Sequence, residues 1–352
     1  MSADRPADTD EPQRMARLVR ANLELCRVQP GETVAVLYDA DEMLERAQIF
    51  AQAAAALGAK ALLVRPRGAA AGGDASSKLA NLGSNALTTD RAAMEALLGA
   101  DMVVDLMLLL FSREQLRLQA AGARILMVVE PLEVLERLFP STSLRRRVEA
   151  AQARLGAART LRFTNRAGTD VSYELGGGHV LTEYGYTDTP GRWDHWPGGF
   201  LATVARPRGV RGRVVLDCGD IVYPLKRQLQ EPVQFDIEGG LITHIDGGRE
   251  AAELSEYMRG YGDPRAYSVS HIGWGLNEHC RWGVDTPGIG MDGRAYCGNV
   301  LFSTGPDTEF GGSNDTACHL DMPMRGCTLM LDGETIIRDG EILPPDMRAV
   351  RS

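Results

Sequence analysis

Residues 33 to 64 read TVAVLYDADEMLERAQIFAQAAAALGAKALLV. Thr33 to Tyr38 is a short apolar run, read as a buried strand. An Ala-rich stretch from about Glu42 to Leu57 has helical composition and is stopped by Gly58, and Lys60 to Val64 forms a second strand. Strand, helix and strand at this spacing predict a parallel βαβ unit. Upstream, Met15, Leu18, Val19, Leu23 and Cys26 recur at helical spacing until Pro30-Gly31 breaks the pattern. Residues up to Asp10 are expected to be a tail.

Downstream the alternation continues. Thr89-Asp90 predicts the cap of a helix ending near Gly99, and Met102 to Leu110 predicts a strand. Ser112 followed by Gln115 has capping-box spacing for a helix closed by Gly122, and Arg124 to Val129 is the next strand. The Gly/Ala/Ser stretch from Gly68 to Ser77 is expected to be a loop. Residues 1–156 therefore read as an open α/β domain with parallel strands. After Gly156 the character changes. Val233 to Glu238 and Leu241 to Ile245 flank Gly239-Gly240, and Thr328 to Leu331 and Thr335 to Arg338 flank Asp332-Gly333, two hairpin signals. Residues 157–352 are expected to form a β-rich α+β domain.

Composition narrows the function. Net charge is -9 in 352 residues and no basic stripe is present, which argues against nucleic acid as a partner. Arg145-Arg146-Arg147 reads as a solvated helix face near Glu149. The first fourteen residues are polar, and the most apolar run, Met102 to Phe111, is too short to span a bilayer, so no membrane partner is expected. Six cysteines without a CxxC pair read as reduced thiols of a cytoplasmic protein. There is no GxSxG elbow, phosphate loop or dinucleotide fingerprint.

The densest chemical signal is Cys318-His319-Leu320-Asp321. On an extended chain His319 and Asp321 share one face, which puts an imidazole beside a carboxylate. A second histidine would complete a two-histidine, one-carboxylate set with open positions, the arrangement that suits iron(II) and dioxygen. His195, His244, His271 and His279 are the candidates. His271 lies among small residues, whereas His244 and His279 fit exposed positions and His179 a turn after three glycines. The stretch from Thr182 to Phe200 carries Glu183, Asp194 and His195 among Tyr184, Tyr186, Trp193 and Trp196. It reads either as a pocket wall that stacks on a flat ring and moves a proton, or as a loop packed by its own rings. Glu130, Asp217 and Asp220 read as cap or turn carboxylates.

Four pieces, in order, carry a resemblance: TEYGYTDTPGRWDHWPGGF from Thr182, SHIGWGL from Ser270, LFSTGPDTEFGG from Leu301 and CHLDMPMRGC from Cys318. Together they resemble the 2,5-dihydroxypyridine 5,6-dioxygenase family of bacterial nicotinate and nicotine breakdown. The resemblance implies an aminopeptidase-like fold holding a single iron, with His271, His319 and Asp321 as Fe(II) ligands. It implies His195 as an acid/base, Glu183 as a pocket carboxylate, and Leu109, Phe111 and Ser303 near the substrate. The partners implied are a small aromatic N-heterocycle and O2, in a homo-oligomer. Phe111 stands where the family pattern leads one to expect a histidine, which leaves the ring substituents open. The main rival is a two-metal aminopeptidase on the same fold, which would need about five or more convergent ligands. A second is a non-catalytic protein with an aromatic pocket.

Overall fold

The computed structural model describes residues 11–68 and 85–349. The expected tail up to Asp10 and the expected loop after Gly68 lie outside them. The βαβ unit forms as the sequence predicts. Thr33–Leu37 and Lys60–Val64 pair in parallel across the helix Leu44–Ala56. Met102–Asp105, Arg124–Met127 and Trp193–His195 extend this sheet, all parallel, in the spatial order 60–64, 33–37, 102–105, 124–127, 193–195. Asp90 and Ser112 cap their helices, accepting the N–H of Ala93 at 3.3 Å and of Gln115 at 3.1 Å. Each cap satisfies a donor that the first helical turn leaves open.

The run after Met102 does not stay extended to Leu110. The strand stops at Asp105, whose buried carboxylate accepts the N–H groups of Met107, Leu108 and Leu109 at 2.8, 3.0 and 2.7 Å. Three charge-assisted bonds outweigh a weak strand preference. Leu108 and Phe111 take positive φ, 72° and 59°, so this segment is a tight turn at the carboxyl end of its strand. His195 ends the strand two places along, at the same carboxyl end of the sheet, where open α/β sheets place their ligands.

The arginine run also differs from its reading. Only Arg146 is exposed. Arg147 is buried and donates to Leu276 O at 2.7 Å and to Glu278 at 2.6 Å, while Arg145 bridges Glu149 and Asp188. Glu149 is one turn away on the same helix, but Asp188, Leu276 and Glu278 lie far along the chain, so the charge run also tethers the helix to distant segments.

The second sheet has twelve strands, and its spine is the 17-residue strand Phe200–Leu216. The first part of the spine pairs with Leu181–Glu183 and Val269–Gly275, and the second with Asp170–Leu175 and Val233–Glu238. Both predicted hairpins are present, with Gly239, Gly240, Asp332 and Gly333 at positive φ. The division after residue 156 is crossed. Trp193–His195 belongs to the parallel sheet although it lies beyond that point, and one apolar core runs from Met15 to Met347. Four residues, Trp196 to Gly199, carry the chain from one sheet to the other. Gly198 makes this crossing possible, since a Cβ there would lie 2.5 Å from the Gly185 nitrogen. No helix among the described residues is long and apolar enough to cross a membrane.

Candidate metal centre and its cavity

Three strands of the antiparallel sheet bring the HxD signal and His271 together. Val269–Gly275 carries His271, and Asp321 on Leu320–Met324 faces Ser303 on Val300–Thr304. Asp321 Oδ1 lies 3.3 Å from His271 Nε2 and 3.2 Å from His319 Nε2, and all three residues are buried. Among the described residues these three form the one cluster of metal-ligating groups, with ligand atoms within 4.8 Å of one another.

The hydrogen bonds behind the imidazoles fix their tautomers. His319 Nδ1 is 3.0 Å from the Thr304 carbonyl, which only accepts, so Nδ1 carries the proton and Nε2 a bare lone pair. His271 Nδ1 is 3.2 Å from Ser270 Oγ, whose own hydrogen goes to the Pro306 carbonyl, so this imidazole donates there as well. Burial lowers the His271 pKa and keeps the ring neutral. Two bare nitrogens and a carboxylate oxygen then face one another in a dry corner. Such a set repels itself unless a cation sits among it, and this donor chemistry fits a divalent metal.

The rest of Asp321 is occupied. Arg294 Nε donates to Oδ2 at 2.6 Å, and Ser303 Oγ donates to Oδ1 at 2.8 Å. Burial alone would raise this carboxyl, but the Arg294 guanidinium beside it holds it well below its ordinary range. Arg294 is itself set in place from outside the corner. Glu130, read from sequence as a cap, is buried and accepts the N–H groups of Ile289 and Met291 at 3.1 Å each, which anchors the short helix Met291–Arg294. Gly288 leaves room for it, as a Cβ there would lie 1.4 Å from Glu130 Oε2.

Opposite the corner lies an apolar cavity walled by the end of the parallel sheet. Glu183 and His195 both line it, with His195 Nδ1 3.8 Å from Glu183 Oε2. Among the described residues His195 Nε2 and Glu183 Oε2 have no hydrogen-bond partner. Desolvation pushes Glu183 up to about 8 and His195 down to about 4, so both are uncharged near neutral pH. Phe310 stacks on His271 at 5.3 Å between ring centres, and Phe111 lies 5.1 Å from His319. The free volume is about 50 Å³. A cavity of about 150 Å³ takes a benzene ring, so an aromatic guest displaces wall side chains.

The expected residues divide as follows. Phe111, Glu183, His195, His271, His319 and Asp321 all meet at this cavity. Leu109 packs in the core, and its neighbour Leu110 lines the cavity instead. Ser303 acts on Asp321 from behind. His179, His244 and His279 are exposed, in keeping with their reading. Within the aromatic stretch, Trp193 and Phe200 wall the cavity, while Tyr184 and Tyr186 pack on each other at 5.0 Å and on Arg145. Arg294 and Glu309 were not singled out. Glu309 lies within LFSTGPDTEFGG and accepts the Phe111 N–H at 2.7 Å, whereas nothing in the pattern around Arg294 marks it.

Fold and site together define a class: a small-molecule enzyme on an α/β frame, with a candidate three-ligand metal corner at the end of its cavity. The chain belongs to the 2,5-dihydroxypyridine 5,6-dioxygenase (NicX) family, whose model matches residues 14–344. It is 43% identical to the 2,5-dihydroxypyridine 5,6-dioxygenase of Pseudomonas putida KT2440 over 338 residues, 94% of this chain and 96% of that one. A solved structure of 2,5-dihydroxypyridine dioxygenase from the same organism superposes with a TM-score of 0.90 at 41% identity, covering 97% of this chain and 100% of the other. AmpT from Thermus thermophilus shares the fold at 14% identity and a TM-score of 0.60, over 94% and 99% of the two chains.

Proposed function

We propose that this protein is a ring-opening dioxygenase that uses one non-haem Fe(II) to cleave 2,5-dihydroxypyridine, or a close analogue, between C5 and C6. The observation that carries this reading is the convergence of two bare imidazole nitrogens and one carboxylate oxygen at the end of an apolar cavity, in a chain of this family. Both atoms of O2 would enter the product, N-formylmaleamate, so the substrate supplies the electrons and no organic cofactor is required.

His271 Nε2, His319 Nε2 and Asp321 Oδ1 would hold the iron. When bound, the metal supplies a place where dioxygen and an electron-rich ring can exchange electron density. The protein does the rest. His195, neutral and with Nε2 free of partners among the described residues, takes the proton of a ring hydroxyl. Glu183, held protonated by burial, donates a hydrogen bond to the guest. Phe111, Phe310 and Trp193 orient a flat ring and exclude water. Phe111 adds no proton-transfer group, which leaves His195, Glu183 and Glu309 as the titratable groups on the wall opposite the metal corner.

The test is anaerobic loading with iron(II), followed by oxygen uptake with a panel of dihydroxypyridines and catechols. Uptake with 2,5-dihydroxypyridine and a stoichiometry of one iron per chain is the expected result. Absence of uptake with every compound would remove the proposal, and two zinc or cobalt ions per chain with peptidase activity would favour the aminopeptidase.

A further inference from the structure

The inner cavity adjoins a second, roomier one. This vestibule has a free volume of about 340 Å³ against about 50 Å³ inside, and Leu181, Trp193 and Glu309 line both. Its wall is polar, and three of its lining residues carry a buried polar atom with no partner among the described residues. Gln115, 2% exposed, gives its Nε2 hydrogens to Glu309 Oε1 at 3.0 Å and Gln119 Oε1 at 3.2 Å, yet its own Oε1 has no partner among the described residues. Trp193 Nε1, on a side chain 5% exposed, has none either, nor has Arg192 Nε. An acceptor and a donor left open at one seam cost free energy unless something else satisfies them.

We propose that this seam is an outer docking subsite for the lactam edge of a pyridone, where the ring pauses before it enters the inner cavity. The inference rests on the dioxygenase reading for its choice of ligand. A 2-hydroxypyridine in water is largely its 2-pyridone tautomer, which presents an N–H donor beside a C=O acceptor. The N–H meets Gln115 Oε1, and the C=O meets the N–H of Trp193. The site is built for a neutral guest. The charge of Arg192 is already matched by Asp194 at 2.6 Å, and Glu309 borders the seam, so a carboxylate has no free cation to meet.

The experiment uses the iron-loaded enzyme without oxygen, and two ligands that lack the 5-hydroxyl: 2-pyridone and N-methyl-2-pyridone. Calorimetric titration should show the wild type preferring 2-pyridone by about fivefold, the effect of one neutral hydrogen bond. Gln115→Leu should bind both pyridones alike, and Trp193→Phe should weaken both by a similar factor while keeping the preference. In turnover, Gln115→Leu should lower kcat/KM about fivefold with kcat changed by less than twofold. Equal binding of the two pyridones by the wild type, or a preference that survives in Gln115→Leu, overturns the subsite. Binding is read without turnover, so the two ideas fail separately. Gln115-dependent pyridone binding in a protein that consumes no oxygen would sink the dioxygenase reading and leave the subsite standing.

Discussion

The two sides of the inner cavity are held in opposite ways. On the side of His271, His319 and Asp321, the second atom of every group is tied down: to Ser270, to Thr304, and to Arg294. On the side of Glu183 and His195, Glu183 Oε2 and His195 Nε2 have no partner among the described residues. The first pattern aims lone pairs at a fixed point, as a metal requires, since an ill-aimed ligand loses affinity. The second leaves groups uncharged and without a partner among the described residues, the condition the proposed proton transfer requires. One cavity thus contains a rigid half and a waiting half.

Substitutions should separate these halves. Asp321→Ala, on the rigid side, should abolish both iron retention and turnover, checked by metal analysis of the desalted protein alongside an oxygen electrode. His195→Ala should keep its iron and lose about 10²- to 10⁴-fold in kcat, the range for a lost acid/base group. Wild-type turnover in that variant would end the proton role. Arg294→Gln frees Asp321 Oδ2, and iron affinity should weaken about 10- to 100-fold, measured by competition with a chelator.

The smallest effect is on the stability of the metal-free protein. Glu183 titrates at about 8 when folded against an ordinary 4.5, so its contribution is complete below about 4.5 and is lost as pH rises towards 8. Glu309, raised by burial to about 7, acts in the same direction. His195 runs the other way, from 6.5 down to about 4, so its contribution is complete above 6.5 and is lost as pH falls towards 4. Of these three groups only the carboxyls titrate above 6.5. Denaturant midpoints should therefore fall between pH 6.5 and 8, by about 2 kcal/mol at most for Glu183. Glu183→Gln should flatten that slope, and an unchanged slope would show that Glu183 is charged at neutral pH.

Local chemistry made much of the fold legible. Caps at Asp90 and Ser112, hairpins at Gly239-Gly240 and Asp332-Gly333, and the shared face of His319 and Asp321 all follow from neighbours within a few residues. Where a distant partner decides, the reading falls short. Asp105 turns its own chain because the sheet buries its carboxylate beside three free N–H groups, which an apolar run does not disclose. Trp193–His195 is too short to show a period, and only pairing with Arg124–Met127 makes it a strand. Arg147 and Arg294 find their acceptors 129 and 27 positions away. The candidate metal set is legible in part from HxD alone, and of the four candidate histidines it is the family motifs, not spacing, that single out His271.

The crossing from Trp196 to Gly199 has a mechanical consequence. His195 ends one sheet, and Phe200 begins the strand that hydrogen-bonds directly to the one bearing His271. At no more than about 3.6 Å per residue, that short stretch acts as a tie-rod between His195 and the candidate metal corner. A single residue inserted there would slacken the reach between them, whereas one added at the Asp332-Gly333 hairpin tip would leave it untouched. The spacing of the chemistry is thus written in covalent bonds, and packing has only to maintain it.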